Sequence, residues 1–307
     1  MTEPRDIAHK KRRVAASTWA MPLLVLCCLA MAASMAFGPL VAIADNPPVV
    51  PDNSSQGEQT NPTVESGDEP DNTPLEVVIS SYTSESASTE MGRVSNIRLA
   101  AEAIDGCVIE PGAVFSFNEI VGDVSNDDRY QIAPVLYGDE MVYGRGGGIC
   151  QVSSTLYLAA LQTNLRIVER HAHSASVDYI PIGLDATISY GTMDLKLAND
   201  SEYPITIHAH GEGQSVTVRL SGQPLEEGLH IVAISSLVLA HSAGTPLPEG
   251  MDLDEDLWDF GFYIVESYRE FYYHGNKIRS ELLARDLYLV LHGTTVLMPD
   301  GSLDMTK

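Results

Sequence analysis

The chain has 307 residues, an ordinary apolar content of 44% and a formal net charge of −24 at pH 7. Its length allows one large or two modest domains, and its apolar content allows a sizeable core. Nucleic-acid binding needs a basic surface, so the negative charge argues against a nucleic-acid partner. For the same reason it argues against simple electrostatic attachment to anionic lipid.

The first 44 residues have the pattern of an export segment. Basic residues within Met1–Arg13 precede a largely apolar run from about Trp19 to Ala42, and the small-x-small signal Ala42-Ile43-Ala44 follows. We therefore expect residues 1–44 to be a cleaved signal peptide or an N-terminal membrane anchor. The rest of the chain would lie at the outer face of the cytoplasmic membrane or be secreted to the cell wall.

Residues 45–74 are acidic, rich in proline, asparagine and serine, and contain no lysine or arginine. Such a segment cannot bury a core, and it predicts a disordered linker between the export segment and a folded part.

The residues from 75 onward predict an α+β fold, with a mixed or antiparallel sheet and a few helices. The clearest hairpin joins two alternating segments, Ile205–Ala209 and Val216–Leu220, through Gly211-Glu212-Gly213. We expect one domain over residues 75–222 and a β-rich C-terminal extension over residues 223–307. Helices are predicted over about 94–104 and 150–161, a hairpin within 135–143, and strands at 75–81, 114–117, 165–170, 177–180, 194–197, 262–273, 277–283 and 287–291.

A glycine-rich segment, Arg145-Gly146-Gly147-Gly148, leads into Cys150 at the start of a predicted helix. The N-terminus of a helix presents unpaired N–H groups and a partial positive charge, which lower the pKa of a thiol. Glycines also let a substrate or another backbone segment approach closely. This position therefore suits a cysteine nucleophile.

A cysteine nucleophile requires a base, and the base requires a group that orients it. His173 follows the predicted helix after a turn and a strand, so its ring can return to the start of that helix. Asp185 and Asp194 come later and are alternative partners for the second ring nitrogen. The backbone N–H groups of Cys150 and Gln151 are candidates to stabilise an oxyanion.

Three other interpretations of these residues stay open. Cys150 can be a small buried residue in a loop-to-helix junction without any catalytic role. His171 and His173, with His208 and His210, form two H-x-H pairs that suit a metal site on strands. Cys107 and Cys150 are the two cysteines beyond the export segment, and an oxidising compartment would allow a disulfide between them.

Several motifs in order resemble the VanW family: Pro111–Asn118, Gly146–Tyr157, Glu169–Ser174, Gly183–Thr187 and Asp194–Asn199. The resemblance covers about 75–220, and the C-terminal part is similar to the tails of many VanW-like proteins. Asp127–Tyr130 departs from the family pattern, which more often has a glycine before the tyrosine. The family takes its name from vancomycin-resistance gene clusters, so the resemblance implies a cell-envelope protein.

Together these features predict an exported protein that acts on the cell wall through its peptidoglycan peptides, by cysteine-dependent acyl transfer or hydrolysis. Cys150 would be the nucleophile, His173 the base, and Asp185 or Asp194 the orienting carboxylate. Arg145 or Arg170 would bind a substrate carboxylate, with Gly146, Gly147, Gly148 and Gln151 shaping the site. No cofactor is implied. The alternative is a non-catalytic wall-binding or scaffolding module in which Cys150 is structural.

Overall fold

The computed structural model describes residues 77–138, 140–246, 260–291 and 295–305. The predicted export segment, 1–44, and the predicted linker, 45–74, therefore lie outside the described residues. Within the described ranges, no helix is both long and apolar enough to span a bilayer.

Three α-helices and fourteen β-strands form the described part of the chain. The helices are α1 (Met91–Ile104), α2 (Phe117–Val121) and α3 (Ile149–Leu161). The strands are β1 (Val77–Glu85), β2 (Val108–Ile109), β3 (Val114–Ser116), β4 (Ile132–Tyr137), β5 (Glu140–Arg145), β6 (Arg166–Glu169), β7 (Lys196–Ala198), β8 (Ile205–Glu212), β9 (Ser215–Gly222), β10 (Leu229–His241), β11 (Phe262–Tyr273), β12 (Asn276–Leu289), β13 (Thr295–Leu297) and β14 (Leu303–Met305).

The strands pair antiparallel in several small sheets, which confirms the predicted α+β class. One sheet has the order β1-β9-β8-β2 and a second has the order β3-β7-β6. The predicted hairpins are present as β8–β9 and β4–β5. The C-terminal part adds the sheet β10-β11-β12 and the pair β13–β14.

Helix α3 lies in the core against β1, β9 and α1. Apolar and small residues of α3 occur on every face of the helix, a pattern typical of a fully buried helix. Twelve of its thirteen residues are buried, and Cys150 is the residue that keeps partial exposure. Neighbouring elements thus bury this helix, and only Cys150 near its N-terminus is partly accessible within it.

Two local predictions were wrong, and one strand was not predicted. Residues 177–180 form no strand, because they belong to an irregular segment between β6 and β7. The poorly periodic residues after 223 contain a long strand, β10, which is held by pairing with β11. The two strands predicted within 277–291 are mainly one continuous strand, β12.

The C-terminal strands contact the irregular segment between β6 and β7. The backbone N–H of Leu289 in β12 donates to the carbonyl of Ser174 at 2.8 Å, and Ile182 N–H donates to the carbonyl of Leu297 in β13 at 2.8 Å. Tyr288 and Ile182 also share a small apolar cluster with Val265 of β11. The extension therefore supports the segment that carries His173 and Asp185.

Asn96 of α1 connects this helix to two other parts of the chain. Its buried amide donates to the carbonyl of Gln131 at 3.0 Å and to that of Gly147 at 2.9 Å, and its Oδ1 accepts from Gln131 N–H at 2.7 Å. One side chain therefore satisfies three backbone groups at the start of β4 and in the glycine loop, Gly146–Gly148.

We expect Asn96→Ala to lower the free energy of unfolding by about 3 kcal/mol, because buried backbone groups lose their partners. Urea unfolding measures this change. Asn126→Ala is the control, since that exposed amide bonds only to Asp123, and its effect should stay within about 0.5 kcal/mol. Equal effects of the two variants would contradict the role given to Asn96.

Candidate active site

Cys150 is the second residue of α3, directly after the glycine loop. Gly148 caps the helix with a φ of +104°, a conformation that glycine adopts without steric cost. The thiol lies 3.6 Å from Thr187 Oγ1 and 3.8 Å from the carbonyl oxygen of Ile188. Its place in the first helical turn is the one predicted from the sequence.

His173 and Asp185 lie with Cys150 in one row of interacting side chains. The Asp185 carboxylate lies 2.5 Å from His173 Nδ1 and also accepts the backbone N–H of His173 at 2.8 Å. The imidazole also lies close enough to the Cys150 thiol for each group to shift the pKa of the other. His173 is 6% exposed and Asp185 is 1% exposed. The arrangement is that of a nucleophile, a base and an orienting carboxylate.

The electrostatics of this row favour a thiolate beside an imidazolium. Burial opposes a charged thiol, but the hydrogen bond and positive charge of His173 lower the pKa of Cys150 below its ordinary value. Burial likewise opposes a charged imidazole, but Asp185 and Cys150 raise the pKa of His173 to about 9. Burial opposes a charged carboxylate at Asp185, but the nearby charge of Arg170 and the hydrogen bond with His173 outweigh this effect. The pKa of Asp185 is therefore lowered.

Two further side chains hold the Asp185 carboxylate. Tyr288 of β12 donates its hydroxyl to Asp185 Oδ1 at 2.6 Å, and Arg170 pairs with the same oxygen at 3.1 Å. Arg170 also forms an ion pair with Asp286 of β12 and lies over the ring of Tyr157, 5.5 Å from its centroid. The buried carboxylate thus has hydrogen-bond donors on both oxygens, which a buried charge requires.

Two hydroxyl groups of α3 bind this helix to Ala186, the residue after Asp185. Ser153 and Ser154 donate to the carbonyl of Ala186 at 2.7 and 3.2 Å, and Ala186 N–H donates back to Ser154 Oγ at 2.9 Å. These two polar residues at the start of α3 are therefore buried and bonded. They connect the helix that carries Cys150 to the segment that carries Asp185.

Asp194, the alternative orienting residue, does not lie beside His173. Its carboxylate accepts the hydroxyl of Ser116 at 2.5 Å and the backbone N–H of Asn118 at 2.9 Å, at the start of α2. Asp194 therefore holds a short helix in place, and Asp185 is the one of the two aspartates in contact with His173.

The two arginines expected to bind a substrate carboxylate have other partners. Arg145 donates to the carbonyl of Tyr130 at 2.7 Å and pairs with Asp128 at 3.3 Å, so it holds the loop that departs from the family pattern. The side chain of Arg170 is 6% exposed and lies beneath the site. Both guanidiniums are therefore engaged by groups of the protein itself.

Gln151 is also structural. Its amide is buried, accepts from Arg93 at 2.7 Å and donates to Ser84 Oγ at 3.1 Å and to the carbonyl of Gln214 at 3.0 Å. Its backbone N–H donates to the carbonyl of Gly148 at 3.0 Å. The expected oxyanion pair therefore keeps only the first-turn N–H of Cys150, which lacks a partner within the helix.

The glycine loop makes close contact with the protein's own chain, where a substrate was expected. A Cβ at Gly147 would lie 2.5 Å from the carbonyl oxygen of Pro134, and one at Gly146 would lie 2.6 Å from Val124 Cγ2. A Cβ at Gly148 would lie 2.7 Å from Arg93 Cγ. The glycines thus allow tight packing around the start of α3.

The other two chemical interpretations of these residues find no support in the described ranges. Cys107 and Cys150 are free thiols, so the disulfide alternative is wrong. The described residues contain no cluster of three or more histidine, cysteine, aspartate or glutamate side chains suited to a metal ion.

Sequence reasoning missed Arg93, Tyr288 and Asp286. They reach the site from α1 and β12, far along the chain from Cys150, and no local motif marks them. The five ordered VanW-like motifs end at Asn199, and the looser resemblance of the C-terminal part gave no role to Tyr288 or Asp286.

We expect Tyr288→Phe to lower the free energy of unfolding by about 2 kcal/mol, because Asp185 loses a buried hydrogen bond. Tyr272→Phe is the matched control, since its hydroxyl donates to Glu270 over the same distance, 2.6 Å, from a half-buried position. The control should lose less than about 1 kcal/mol in urea unfolding. A loss as large in Tyr272→Phe would contradict a special role for Tyr288.

Comparisons with known proteins agree with the motifs of the site. Residues 92–221, which contain Cys150, His173 and Asp185, match the sequence model of the family described as "VanW like protein". The chain is 44% identical over 133 residues to "Uncharacterized protein YoaR" of Bacillus subtilis, covering 43% of this chain and 44% of that protein. It is 30% identical over 158 residues to "Vancomycin B-type resistance protein VanW" of Enterococcus faecalis, covering 50% of this chain and 57% of that protein.

The chain spans about half the length of these curated relatives. No solved structure matches it. The family match and both relatives agree on one assignment: residues 92–221 form a VanW-like domain.

Proposed function

We propose that this protein with a VanW-like domain is a cysteine-dependent acyl transferase or hydrolase. The observation that carries the proposal is the row of Cys150, His173 and Asp185, in which His173 is hydrogen-bonded to Asp185 and the thiol lies at the start of a helix. The pKa of the thiol is lowered, and a thiolate is the reactive form of cysteine.

In the proposed reaction, the Cys150 thiolate attacks the carbonyl carbon of an amide bond. The His173 imidazolium gives its proton to the leaving amine as the C–N bond breaks, and a thioester remains on Cys150. Neutral His173 then takes a proton from water or from an acceptor amine, which attacks the thioester and restores the thiolate. Asp185 keeps the imidazole in the orientation that both proton transfers require.

We further propose that the substrate is a peptide of the cell envelope and that the protein acts outside the cytoplasmic membrane. The export pattern of residues 1–44 supports this location. The name of the Enterococcus faecalis relative supports a link with vancomycin resistance. The membrane association through the N-terminal segment and the contact with peptidoglycan belong to the same proposal.

A non-catalytic wall-binding or scaffolding module is the second candidate. It is favoured by the contacts of the thiol with Thr187 Oγ1 and the Ile188 carbonyl, which suit a packed structural cysteine. The two candidates differ in one measurable property, the reactivity of the Cys150 thiol.

We expect iodoacetamide to alkylate Cys150 with a half-maximal rate at a pH clearly below 9.0, the ordinary thiol value. The rate should rise as the lowered thiol pKa is passed and then stay level up to about pH 9, where the imidazolium loses its proton. Mass spectrometry of the Cys150 peptide, with the Cys107 peptide as internal reference, measures this profile. A profile centred at or above 9.0 would contradict the enzymatic candidate.

Two aspartate variants serve as a matched pair in the same assay. Asp185→Asn should move the alkylation profile toward higher pH, because His173 loses its charged partner. Asp194→Asn removes a buried carboxylate at the start of α2 and should leave the profile in place. The reverse outcome would assign the orienting role to Asp194.

For the reaction itself, we expect the protein to release cleaved or transferred products from soluble peptidoglycan peptides, with an acylated Cys150 seen by intact mass. Cys150→Ser should reduce the rate by at least about a thousandfold, since a serine hydroxyl stays protonated beside His173. If the wild-type thiol is activated but neither an acyl adduct nor a product forms, the proposal is restricted to acyl donors other than these peptides. Equal product formation by Cys150→Ser would refute it.

A further inference from the structure

Arg93 is a buried arginine next to the candidate nucleophile. It lies in the first turns of α1 and is 6% exposed. One terminal nitrogen, Nη2, donates to the side chain of Gln151 at 2.7 Å. The other, Nη1, is buried and has no hydrogen-bond partner among the described residues. A buried guanidinium with an unused donor is costly, because each unmet charged donor loses its hydration.

Two other arginines with buried side chains are neutralised by carboxylates. Arg170 pairs with Asp185 and Asp286, and Arg269 pairs with Glu281 at 3.0 Å. No carboxylate among the described residues lies within ion-pair distance of Arg93, although Asp178 and Glu90 act on it from farther away. Burial accordingly lowers the pKa of Arg93. Arg93 is therefore a buried cation without a carboxylate in ion-pair contact among the described residues, and the Cys150 thiol is one of the groups that act on it from farther away.

The surroundings of Arg93 place this charge at the nucleophile. Its partner Gln151 follows Cys150 directly, and its Cγ occupies the space that a side chain at Gly148 would need. Its guanidinium lies over the ring of Tyr179, 5.7 Å from the centroid. Arg93 thus lies between the glycine loop and Tyr179. The first-turn N–H of Cys150 follows directly after the same loop.

We propose that Arg93 forms an anion subsite that binds a carboxylate of the substrate beside Cys150. This inference rests on the proposed function and deepens it, because it defines the substrate as an acyl donor with a free carboxylate near the reacting carbonyl, such as the C-terminal residue of a peptide. Nη1 supplies the charged donor, and Gln151 holds Nη2 so that the guanidinium keeps its direction. Nη1 is shielded from solvent here, so the carboxylate enters with a movement of the lining side chains.

Iodoacetate and iodoacetamide test this subsite without a known substrate. Both reagents alkylate the same thiolate and release iodide, but only iodoacetate carries a carboxylate. The ratio of their rates at Cys150 therefore cancels the thiolate fraction and reports anion binding alone. We expect Arg93→Met to lower the iodoacetate-to-iodoacetamide ratio about tenfold relative to the wild type, as loss of a charge-assisted hydrogen bond predicts.

Arg98→Met is the matched control, since it removes the same charge from an exposed position on the same helix, where Arg98 pairs with Glu102. Its ratio should equal that of the wild type. Arg93→Lys keeps the charge and should retain most of the preference, and thermal unfolding identifies any variant that fails to fold. A ratio unchanged in Arg93→Met, or lowered equally in Arg98→Met, would overturn the proposal.

The outcome is separable from that of the proposed function. If Cys150 is not an activated nucleophile, iodoacetamide alone reports this through its pH profile in the wild type. If the thiol is activated but the anion subsite is absent, the iodoacetamide profile stays centred below pH 9.0, while Arg93→Met leaves the iodoacetate-to-iodoacetamide ratio unchanged.

Discussion

The buried carboxylate of Asp185 is the interaction on which the rest of the site depends. A charge at 1% exposure is stable only if its oxygens receive strong hydrogen bonds. It receives them from the backbone and ring of His173, from Arg170 and from Tyr288. These donors come from separate parts of the chain. The requirement to satisfy one carboxylate therefore brings the end of β6, the irregular segment and β12 to the same point.

The ion pair of Cys150 and His173 follows from this arrangement. An imidazole held by a charged carboxylate keeps its proton more strongly, and a protonated imidazole favours the neighbouring thiolate. The thiolate–imidazolium pair binds the same number of protons as the neutral pair. Global stability therefore responds weakly to the exchange of that proton, whereas the chemistry of the sulfur responds strongly.

The sequence was sufficient for the parts of the fold with a clear local period. Helix α3 follows from its glycine start and apolar residues, and β8–β9 follows from alternation around Gly211–Gly213. The strand β10 was missed because its stability comes from pairing with β11, which local periodicity does not reveal.

The same distinction applies to the site. Cys150, His173 and Asp185 were all candidates from residue type and order, but the choice between Asp185 and Asp194 depends on the path of an irregular segment. Arg93 and Tyr288 act across long sequence separations and have no motif. The glycines were noted correctly as positions of close approach, but the approaching atoms belong to Val124, Pro134 and Arg93.

The contact of β12 with Asp185 and Arg170 has a practical consequence for work on fragments. A recombinant piece trimmed to the family match, 92–221, contains all three residues of the row and yet lacks Tyr288 and Asp286. Arg170 would then lose one of its two carboxylate partners, and Asp185 would lose the hydroxyl donor Tyr288. Inactivity of such a fragment would reflect the missing sheet, and boundaries for biochemical work are better drawn to include the C-terminal strands.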